Sequence, residues 1–448
     1  MKAHFDTLSR HAFGQIQARE ILLLNFSGED SDFVRFNHGL VRQAMSVRQG
    51  RLELRLIDGQ RHASVALTLG GQAGTDRAAV AQALATLRAE LAALPEDPYL
   101  LYCTEPTRSE RIERGQLPSA AQAIGDVVDA AHAPSGVRKG SDDLVGVLAS
   151  GPSYRGFASS LGGHHWHEVD AFNFEWSLVH AADKAVKSAW AGSRWDRDEL
   201  LGRVASARAQ LAHLARPAKA VQPGEYRAYL APAALDEFLW MLNWNGVSAR
   251  SQRTKQSCIQ RLVEGEAQLS PQLTVREDTA RGLAQAFDEF GFAKPDDVAL
   301  IAAGRHAGSL VSPRTAREYG LAANGADEGE SMAAMAVDAG TLAEDEVLQR
   351  LDTGIYVGNL WYLNFSDRPN ARITGMTRFA SFWVERGEIV APLSVMRFDD
   401  TLYRVLGERL EGLTAAPAWI LNSRTYRERS LETSRVPGAL VAGMAFTL

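Results

Sequence analysis

The stretch TGIYVGNLWYLNFSDRPNARITGMTRFASFWVERGEIVAPLSVMR, residues 353–397, carries the densest strand signal in the chain. Its first part is rich in β-branched and aromatic residues, and the SDRPN cluster at 366–370 supplies turn residues. A second strand follows, after which Arg386 and Gly387 form a predicted turn with the glycine suited to positive φ. Pro392 then marks an edge strand or a bulge. We therefore predict consecutive antiparallel hairpins in this region.

The order of the motifs in and after this stretch resembles one known family. GIYVGNLWYLNFSDR at 354–368, ITGMTRFASFWVERGEIVAPL at 373–393 and MRFDDTLYRVL at 396–406 follow one another. A strand carrying TG, a hairpin ending in E-x-G-E-x-x-x-P and a short amphipathic segment are similar, in this order, to the C-terminal domain of the TldD/PmbA (modulator of DNA gyrase) metallopeptidases. The similarity extends, more weakly, over nearly the whole chain.

The length of the chain predicts two domains. Its 448 residues exceed the roughly 250–300 at which a single hydrophobic core stops growing. The segment RPAKAVQPG at 216–224 holds two prolines and a glycine between periodic segments, as domain linkers often do. We therefore predict an N-terminal domain over 1–215 and a C-terminal domain over 225–448.

The first domain should mix strands and helices. Hairpin signals at His38-Gly39, Gln49-Gly50 and Asp58-Gly59 divide residues 32–69 into a predicted four-strand meander. Leucines alternate with more polar residues at 52–57, so one sheet face should be apolar and the other mostly solvated. The predicted fold class is α+β, with an antiparallel meander plus helices followed by a β-rich domain of long antiparallel hairpins, barrel- or sandwich-like.

Composition narrows the possible partners and the compartment. The 48 basic and 54 acidic residues are interspersed, so no basic stripe predicts nucleic-acid binding. Cys103 and Cys258 are far apart, which argues against a disulfide framework and favours a reducing compartment. The N-terminus is polar, and no apolar run approaches the roughly 18 residues that a membrane span needs. We predict a cytoplasmic protein without a membrane or nucleic-acid partner.

The resemblance also implies where a metal would be bound in related chains. Catalytic members hold zinc with an HExxxH helix in the second domain and a cysteine near the C-terminus. The corresponding helix here, LDEFLWMLNWNGVSAR at 235–250, has no histidine, and YRERSLETSRVPGAL at 426–440 has no cysteine. Imidazole and thiolate atoms are the usual zinc ligands, so we expect no metal ligand, cofactor or catalytic residue in this chain. The chain resembles the TldE-type branch in this respect.

A TldE-type chain is taken to pair with a zinc-bearing TldD-type chain, the two second domains enclosing a chamber for an extended peptide. The expected function is therefore that of a non-catalytic subunit of a heterodimeric zinc metallopeptidase. It would bind and position peptide substrates for proteolysis through strand-like backbone contacts, and would be inactive alone. Zinc is expected in the partner subunit, and the isolated chain could form a homodimer.

The histidine-rich stretch GGHHWHEVDAFNFEW at 162–176 leaves an alternative open. If it is a strand, His165 and His167 share one face, while His164 lies on the other. A His-x-His pair with a third donor, His180 or alternatively Glu175, would make a self-sufficient metal-dependent hydrolase. The other interpretation is that these histidines are internally hydrogen-bonded or contact a peptide.

Two arginines and two aromatic residues are candidate peptide- or partner-binding groups. Arg378 and Arg397 lie on the best-matched strands and could bind a carboxylate in bidentate fashion, or could form inter-strand ion pairs. Trp361 and Tyr362 are adjacent on a strand, so one should enter the core and the other should be an exposed interface anchor. A homodimeric peptide-binding scaffold without chemistry is a further alternative.

Overall fold

The computed structural model describes residues 1–133, 143–181 and 184–447. The described part contains three β-sheets with helices packed on them. One sheet comes from the N-terminal half of the chain, and the other two come from the C-terminal half. The α+β fold class is therefore confirmed.

The N-terminal half forms one large twisted sheet. Its strands, numbered along the chain, are β1 (Glu20–Asn37), β2 (Leu40–Asp58), β3 (Arg61–Thr68), β4 (Arg108–Glu113), β5 (Asp143–Ser159), β6 (His164–Ala181) and β7 (Lys184–Gly192). Their order is β3-β2-β1-β5-β6, and β4 and β7 pair with successive parts of the remaining edge of β6. The helices of this half are α1 (Lys2–Phe13), α2 (Ala73–Leu91), α3 (Ala120–His132) and α4 (Arg197–Leu214).

The predicted four-strand meander is wrong in one respect, because β2 passes through Gln49-Gly50 without turning. A Cβ atom at Gly50 would lie 3.2 Å from the ring of Phe26 on the neighbouring strand. The glycine therefore makes room for an aromatic ring packed over the sheet. The turns at His38-Gly39 and beyond Asp58 are present, so three long strands replace the expected four.

The second face of this sheet is not mostly solvated, as the alternation at 52–57 predicted. Leu52, Leu54 and Leu56 do face one apolar cluster, under α1 and α2. On the opposite face, however, Ile57 packs with Phe287 and Phe290 from the C-terminal half. Both faces of the sheet are therefore covered, and the second face forms part of the junction between the two halves of the chain.

The C-terminal half contains two sheets. Its strands are β8 (Gly224–Leu230), β9 (Val275–Glu277), β10 (Val298–Ala302), β11 (Arg305–His306), β12 (Ala334–Val337), β13 (Gly354–Asp367), β14 (Arg372–Glu385), β15 (Glu388–Pro392), β16 (Arg397–Thr401), β17 (Leu410–Leu413), β18 (Ala418–Leu421), β19 (Thr433–Val436) and β20 (Ala439–Phe446). Its helices are α5 (Pro232–Trp240), α6 (Ala249–Arg253), α7 (Gln260–Val263), α8 (Pro313–Tyr319) and α9 (Val347–Leu351).

One of these sheets closes on itself. The pairing runs β8-β20-β16-β14-β13 and returns from β13 to β8, so five strands form a ring. The predicted hairpins at 353–397 are confirmed: β13, β14 and β15 are antiparallel neighbours, and Arg386 and Gly387 turn with φ of 53° and 77°. The other sheet has the order β11-β10-β9-β12-β19-β18, which leaves β18 at its edge.

Residues before the linker at 216–224 pack against residues after it in shared apolar clusters. Phe382 of β14 belongs to the same buried cluster as Trp176 of β6 and Leu211 of α4. A second shared cluster joins Val169 of β6 to Leu421 of β18. The division into two domains at this linker stays a prediction, whereas the contact between the halves is part of the fold.

Candidate functional site

A cleft lies where the first sheet meets α5 and the β18–β19 connection. It has two adjoining arms of about 450 Å³ and about 480 Å³, which share the lining residues Glu175, Leu421, Asn422 and Ser423. We name the arms by their charged lining residues. The acidic arm is lined by Glu175, Lys187, Asp236, Glu237 and Glu432. The basic arm is lined by Arg35, Arg42, Glu175, Arg424 and Arg429.

Helix α5 forms the floor of the acidic arm because its two faces differ in polarity. Pro232 occupies its first turn, where the missing N–H costs no hydrogen bond. Leucine, alanine and phenylalanine side chains on one face are buried in the C-terminal core. Ala233, Asp236, Glu237 and Trp240, spaced as one helical face, line the cleft instead. The helix thus directs two adjacent carboxyls into a partly apolar pocket.

Burial shifts the ionisation of both carboxyls. It raises the pKa of Asp236 to about 6, although a hydrogen bond with the Ser434 hydroxyl opposes the shift. Burial also raises the pKa of Glu237 to about 8, opposed by the positive charge of Lys187 and assisted by the negative charges of Asp236 and Glu175. At neutral pH, Glu237 is therefore mostly protonated and can donate a hydrogen bond as well as accept one.

Trp361 and Tyr362 form one wall of the acidic arm. The prediction that one of them enters the core is wrong, because their exposed fractions are 47% and 79%. The β13–β14 pairing shifts register between Trp361 and Asn364, and Tyr362 has a positive φ of 58°. This bulge interrupts the alternation of side chains along β13, so both rings stay on the surface.

The segment 422–432, which connects β18 to β19, contributes Arg424 and Arg429 to the lining of the basic arm. It is fastened to the first sheet by Arg429, whose guanidinium donates to the carbonyl oxygens of Gly151 at 2.9 Å and Ala171 at 2.7 Å. Burial lowers the pKa of Arg429 to about 10, while the charge of Glu29 acts in the opposite direction. Arg429 therefore acts as a structural anchor within the basic arm.

The segment is also hydrogen-bonded across the junction of the two arms. The amide of Asn422 donates to the Glu432 carboxylate at 2.7 Å, and the hydroxyl of Ser423 donates to Glu175 at 2.8 Å. Glu175 in turn pairs with Lys187 of β7 at 3.2 Å. Glu175 thus lies at the centre of the cleft with two partners, one from each side.

The structure places His165 and His167 on one face of β6, as predicted, but neither is on the surface, with exposed fractions of 2% and 1%. The ring of His165 stacks on Phe287 and hydrogen-bonds with the Ser109 hydroxyl at 2.7 Å. His167 Nε2 donates to the Leu283 carbonyl at 2.9 Å. Both histidines are interior parts of the junction between the halves, so they offer no surface for a peptide or partner.

The interpretation as a self-sufficient metal hydrolase is not supported by this geometry. His180 lies at the far end of β6 from His167, and the strand rise separates them by roughly 40 Å. Burial lowers the pKa of His167 to about 4, so its ring is neutral. Within the described ranges, no group of three or more His, Cys, Asp or Glu side chains could hold a metal ion.

Zinc likewise does not fit the donors of the cleft. Imidazole or thiolate ligands are absent from the residues that line either arm. Carboxyl oxygens are provided instead, and the Glu237 carboxyl keeps its proton to about pH 8, which opposes metal binding. The side chains that line the cleft offer charged and hydrogen-bonding groups.

The two predicted arginines lie outside both arms. The guanidinium of Arg378 sits 5.8 Å from the centre of the Trp361 ring and 5.5 Å from that of Phe379, so it supports the aromatic wall from behind. Arg397 on β16 donates to the Thr374 hydroxyl at 3.0 Å on the neighbouring strand. Neither forms an inter-strand ion pair within the described residues.

The sequence reasoning missed most of the charged residues that line the cleft. Asp236 and Glu237 interrupt an otherwise apolar predicted helix, which is a signal that could have identified them. Arg35, Arg42 and Arg424 carried no such signal, since they come from opposite ends of the chain and meet only in the folded protein.

No helix in the described part of the chain combines the length and apolar character required to span a membrane.

The fold and the cleft define a class of α+β proteins in which an N-terminal sheet packs against a β-rich C-terminal half. Solved structures share this architecture at low sequence identity. TldE from Thermococcus kodakarensis is similar with a TM-score of 0.79 and 13% identity, covering 99% of this chain and 100% of that one. A candidate modulator of a DNA gyrase from Thermotoga maritima is similar with a TM-score of 0.76 and 14% identity, covering 100% of both chains.

A third structure, a candidate modulator of DNA gyrase from Bacteroides thetaiotaomicron, has a TM-score of 0.72 and 15% identity, covering 100% of this chain and 98% of that one. The family model of the PmbA/TldA metallopeptidase C-terminal domain matches residues 223–448. The chain therefore belongs to the TldD/PmbA metallopeptidase family. Comparison with curated protein sequences finds no match.

Proposed function

We propose that this chain is the non-catalytic, TldE-like subunit of a heterodimeric zinc metallopeptidase, and that its cleft binds an extended peptide for cleavage by a TldD-type partner. The observation that carries the proposal is the acidic arm, which is bordered by two free strand edges and an exposed aromatic wall. Each of these features suits an extended peptide, and they converge on one cleft.

The two strand edges supply backbone hydrogen-bonding groups. Within the described residues, β7 pairs with β6 alone and β18 pairs with β19 alone. Lys187, Ser188 and Ala189 of β7 and Ile420 and Leu421 of β18 all line the acidic arm. An extended peptide that lies along one of these edges can add its own N–H and C=O groups to that strand. This mode of binding depends little on peptide sequence.

The aromatic wall supplies apolar contact for side chains of the peptide. Trp361 and Tyr362 are exposed beside the strand edges, and Trp244, at 42% exposure, lines the same arm. Large aromatic residues are the commonest energetic anchors of protein interfaces. The wall could serve the partner subunit as well as the peptide, since it is open to the surface.

The peptide-cleaving metal would belong to the partner. Where the family resemblance implies zinc ligands, this chain has Asp236 and Glu237 on α5 and the cysteine-free stretch 426–440. Asp236 and Glu237 line the acidic arm together with Glu432 and Ser434 of that stretch, so the arm would occupy the region in which catalytic relatives carry the metal. The likeness in fold to TldE from Thermococcus kodakarensis supports the same assignment. We place the pair in the cytoplasm, consistent with the free thiols of Cys103 and Cys258.

The proposal is tested by reconstitution with a TldD-type chain from the same organism. We expect no cleavage of an unstructured peptide by the isolated chain, and cleavage by the mixture that a chelator abolishes. Trp361→Ala should reduce cleavage by the mixture, whereas Tyr426→Ala, which removes a more exposed aromatic ring outside both arms, should not. Cleavage by this chain alone would contradict the proposal.

Light scattering of the same samples separates the heterodimer from the scaffold alternative. A heterodimer mass in the mixture supports the proposal. A stable homodimer that ignores the TldD-type chain and still binds peptide would instead favour a peptide-binding scaffold without chemistry.

A further inference from the structure

We propose that the basic arm is a subsite for a carboxylate of the peptide, either its C-terminal carboxylate or an Asp or Glu side chain. The inference rests on the proposed function, because it names the class of peptide that the cleft selects. It is carried by three arginines that converge on one cleft and by a buried, unpartnered amide oxygen beside them.

A β-bulge brings two of these arginines to the same side. Arg35 of β1 is opposite Gln43 of β2, but the next pair is Phe36 with Val41, so Arg42 is the extra residue. Regular alternation would direct Arg42 to the face opposite Arg35. A bulge re-aims a side chain locally, and both arginines line the basic arm. Arg424 reaches the arm from the β18–β19 connection.

The positive charge of the arm is largely uncompensated. Arg35 and Arg42 have no ion pair in the part of the chain that the structure describes, and both are exposed. Arg424 approaches Glu432 at 3.3 Å with a side chain that is still 63% exposed. Glu175 is engaged by Ser423 and Lys187. Arginine stays charged at any physiological pH and matches a carboxylate with paired N–H groups, so an anionic ligand would complete the arm.

A buried polar group provides an independent sign of a missing ligand. Asn173 lies on the same face of β6 as Glu175, lines the basic arm and is only 7% exposed. Its amide nitrogen donates to the Leu421 carbonyl at 3.2 Å, but its Oδ1 is without a hydrogen-bond partner in the described structure. Buried polar atoms are rarely left unpaired. A backbone N–H of a bound peptide could donate to Asn173 Oδ1.

The inference predicts the orientation of a peptide bound in the cleft. A peptide passing through both arms would leave its carboxylate among the arginines and its positively charged groups beside Asp236 and Glu237. Glu175 and Ser423 line both arms, so the arms adjoin and one extended chain could reach from one to the other.

The test measures peptide binding to the full chain by calorimetry. The probes are three ten-residue peptides of one uncharged sequence: one with a free C-terminal carboxylate, one with a C-terminal amide, and one amidated with an added aspartate. We expect the first to bind about tenfold more tightly than the amide if the C-terminus is recognised, and the third to do so if side-chain carboxylates are recognised.

Variants identify the arm that is responsible. The double change Arg35→Gln with Arg42→Gln should remove the carboxylate preference while leaving the affinity for the amide unchanged, which also shows that the variant is folded. Arg48→Gln is the matched control, since Arg48 is exposed on the same strand β2 but does not line the arm. It should keep the preference.

Each outcome has a separate meaning for the two proposals. Equal binding of all three peptides, or a preference that survives the double change, overturns the carboxylate subsite and leaves the proposed function standing. Failure of every peptide to bind overturns the proposed function and the subsite with it.

Discussion

The two arms of the cleft contain similar numbers of charged residues but hold their charge differently. In the acidic arm, burial keeps a proton on Glu237 up to about pH 8, so the arm is less negative than its composition suggests. In the basic arm, Arg35 and Arg42 are exposed and arginine does not lose its charge at physiological pH. The net charge of a cleft therefore cannot be counted from its lining residues alone, because burial changes which of them are ionised. Any pH dependence of binding near neutrality should come from the acidic arm.

The largest expected effect is a loss of folding stability when Arg429, the buried anchor of the basic arm, is replaced. The same change at an exposed arginine of the arm should leave stability unaltered. Arg429→Ala leaves the buried carbonyls of Gly151 and Ala171 without their donors. We expect the free energy of unfolding to fall by about 3 kcal/mol, measured as a lower urea midpoint. Arg424→Ala, an exposed change on the same segment, should leave the midpoint within error. Equal midpoints for all three proteins would show that the segment does not depend on this anchor.

The second effect tests the protonated carboxyl of the acidic arm. The pKa of Glu237 is raised to about 8 from an ordinary 4.5, so the unfolded chain releases this proton first as pH rises. The folded state is therefore penalised progressively between these two pH values. Glu237→Gln cannot ionise, and near pH 8 it should be more stable than the unchanged chain by about 2 kcal/mol after allowance for partial exposure. Below pH 4.5, where the carboxyl is protonated in both the folded and the unfolded chain, this difference in the free energy of unfolding should vanish.

Urea midpoints measured across this pH range check the sign of that effect. Glu90→Gln, on the exposed side of α2, serves as the control and should shift the midpoint equally at every pH. In the same series, an N-acetylated peptide with one lysine, whose ammonium stays charged to about pH 10, should bind the unchanged chain more tightly above pH 8, when Glu237 becomes negative. A flat difference between Glu237→Gln and the unchanged chain would refute the raised pKa.

The third effect concerns the wall of the acidic arm. Trp361→Ala removes an exposed ring beside the strand edges, and we expect about a tenfold loss of peptide affinity with little change in stability. The loss should be the same for the carboxylate and amide peptides, because the ring lies in the other arm. Tyr426→Ala is again the control. A loss confined to one peptide would mean that the arms are not independent.

Turn-forming residues in the sequence predicted the hairpins correctly. They did not distinguish a turn from a strand that continues through a glycine. The turn at 366–370 and the glycine at 387 follow from residue type alone, and both are present. Gly50 carries the same signal but lies inside β2, because its lack of a side chain serves the Phe26 ring. A glycine that permits a turn and one that permits close packing look alike in a sequence.

The site could be predicted even less completely. His165 and His167 have the spacing of metal ligands, yet the second half of the chain covers that face of β6. Which face of a strand is covered depends on contacts between distant segments. The basic arm depends on such contacts too, since Arg35 and Arg424 lie near opposite ends of the chain. Only the acidic residues within the apolar helix α5 were visible locally.

The smallest expected effect tests the bulge that exposes both rings of the aromatic wall. Tyr362 has a φ of 58°, a conformation that glycine adopts freely and β-branched residues resist. Tyr362→Gly should therefore leave stability nearly unchanged, whereas Tyr362→Val should lower the free energy of unfolding by about 1 kcal/mol. Both changes remove the ring, so both should weaken peptide binding to a similar, modest extent. If valine is tolerated as well as glycine, the backbone at this position is regular, and the exposure of Trp361 beside it needs another cause.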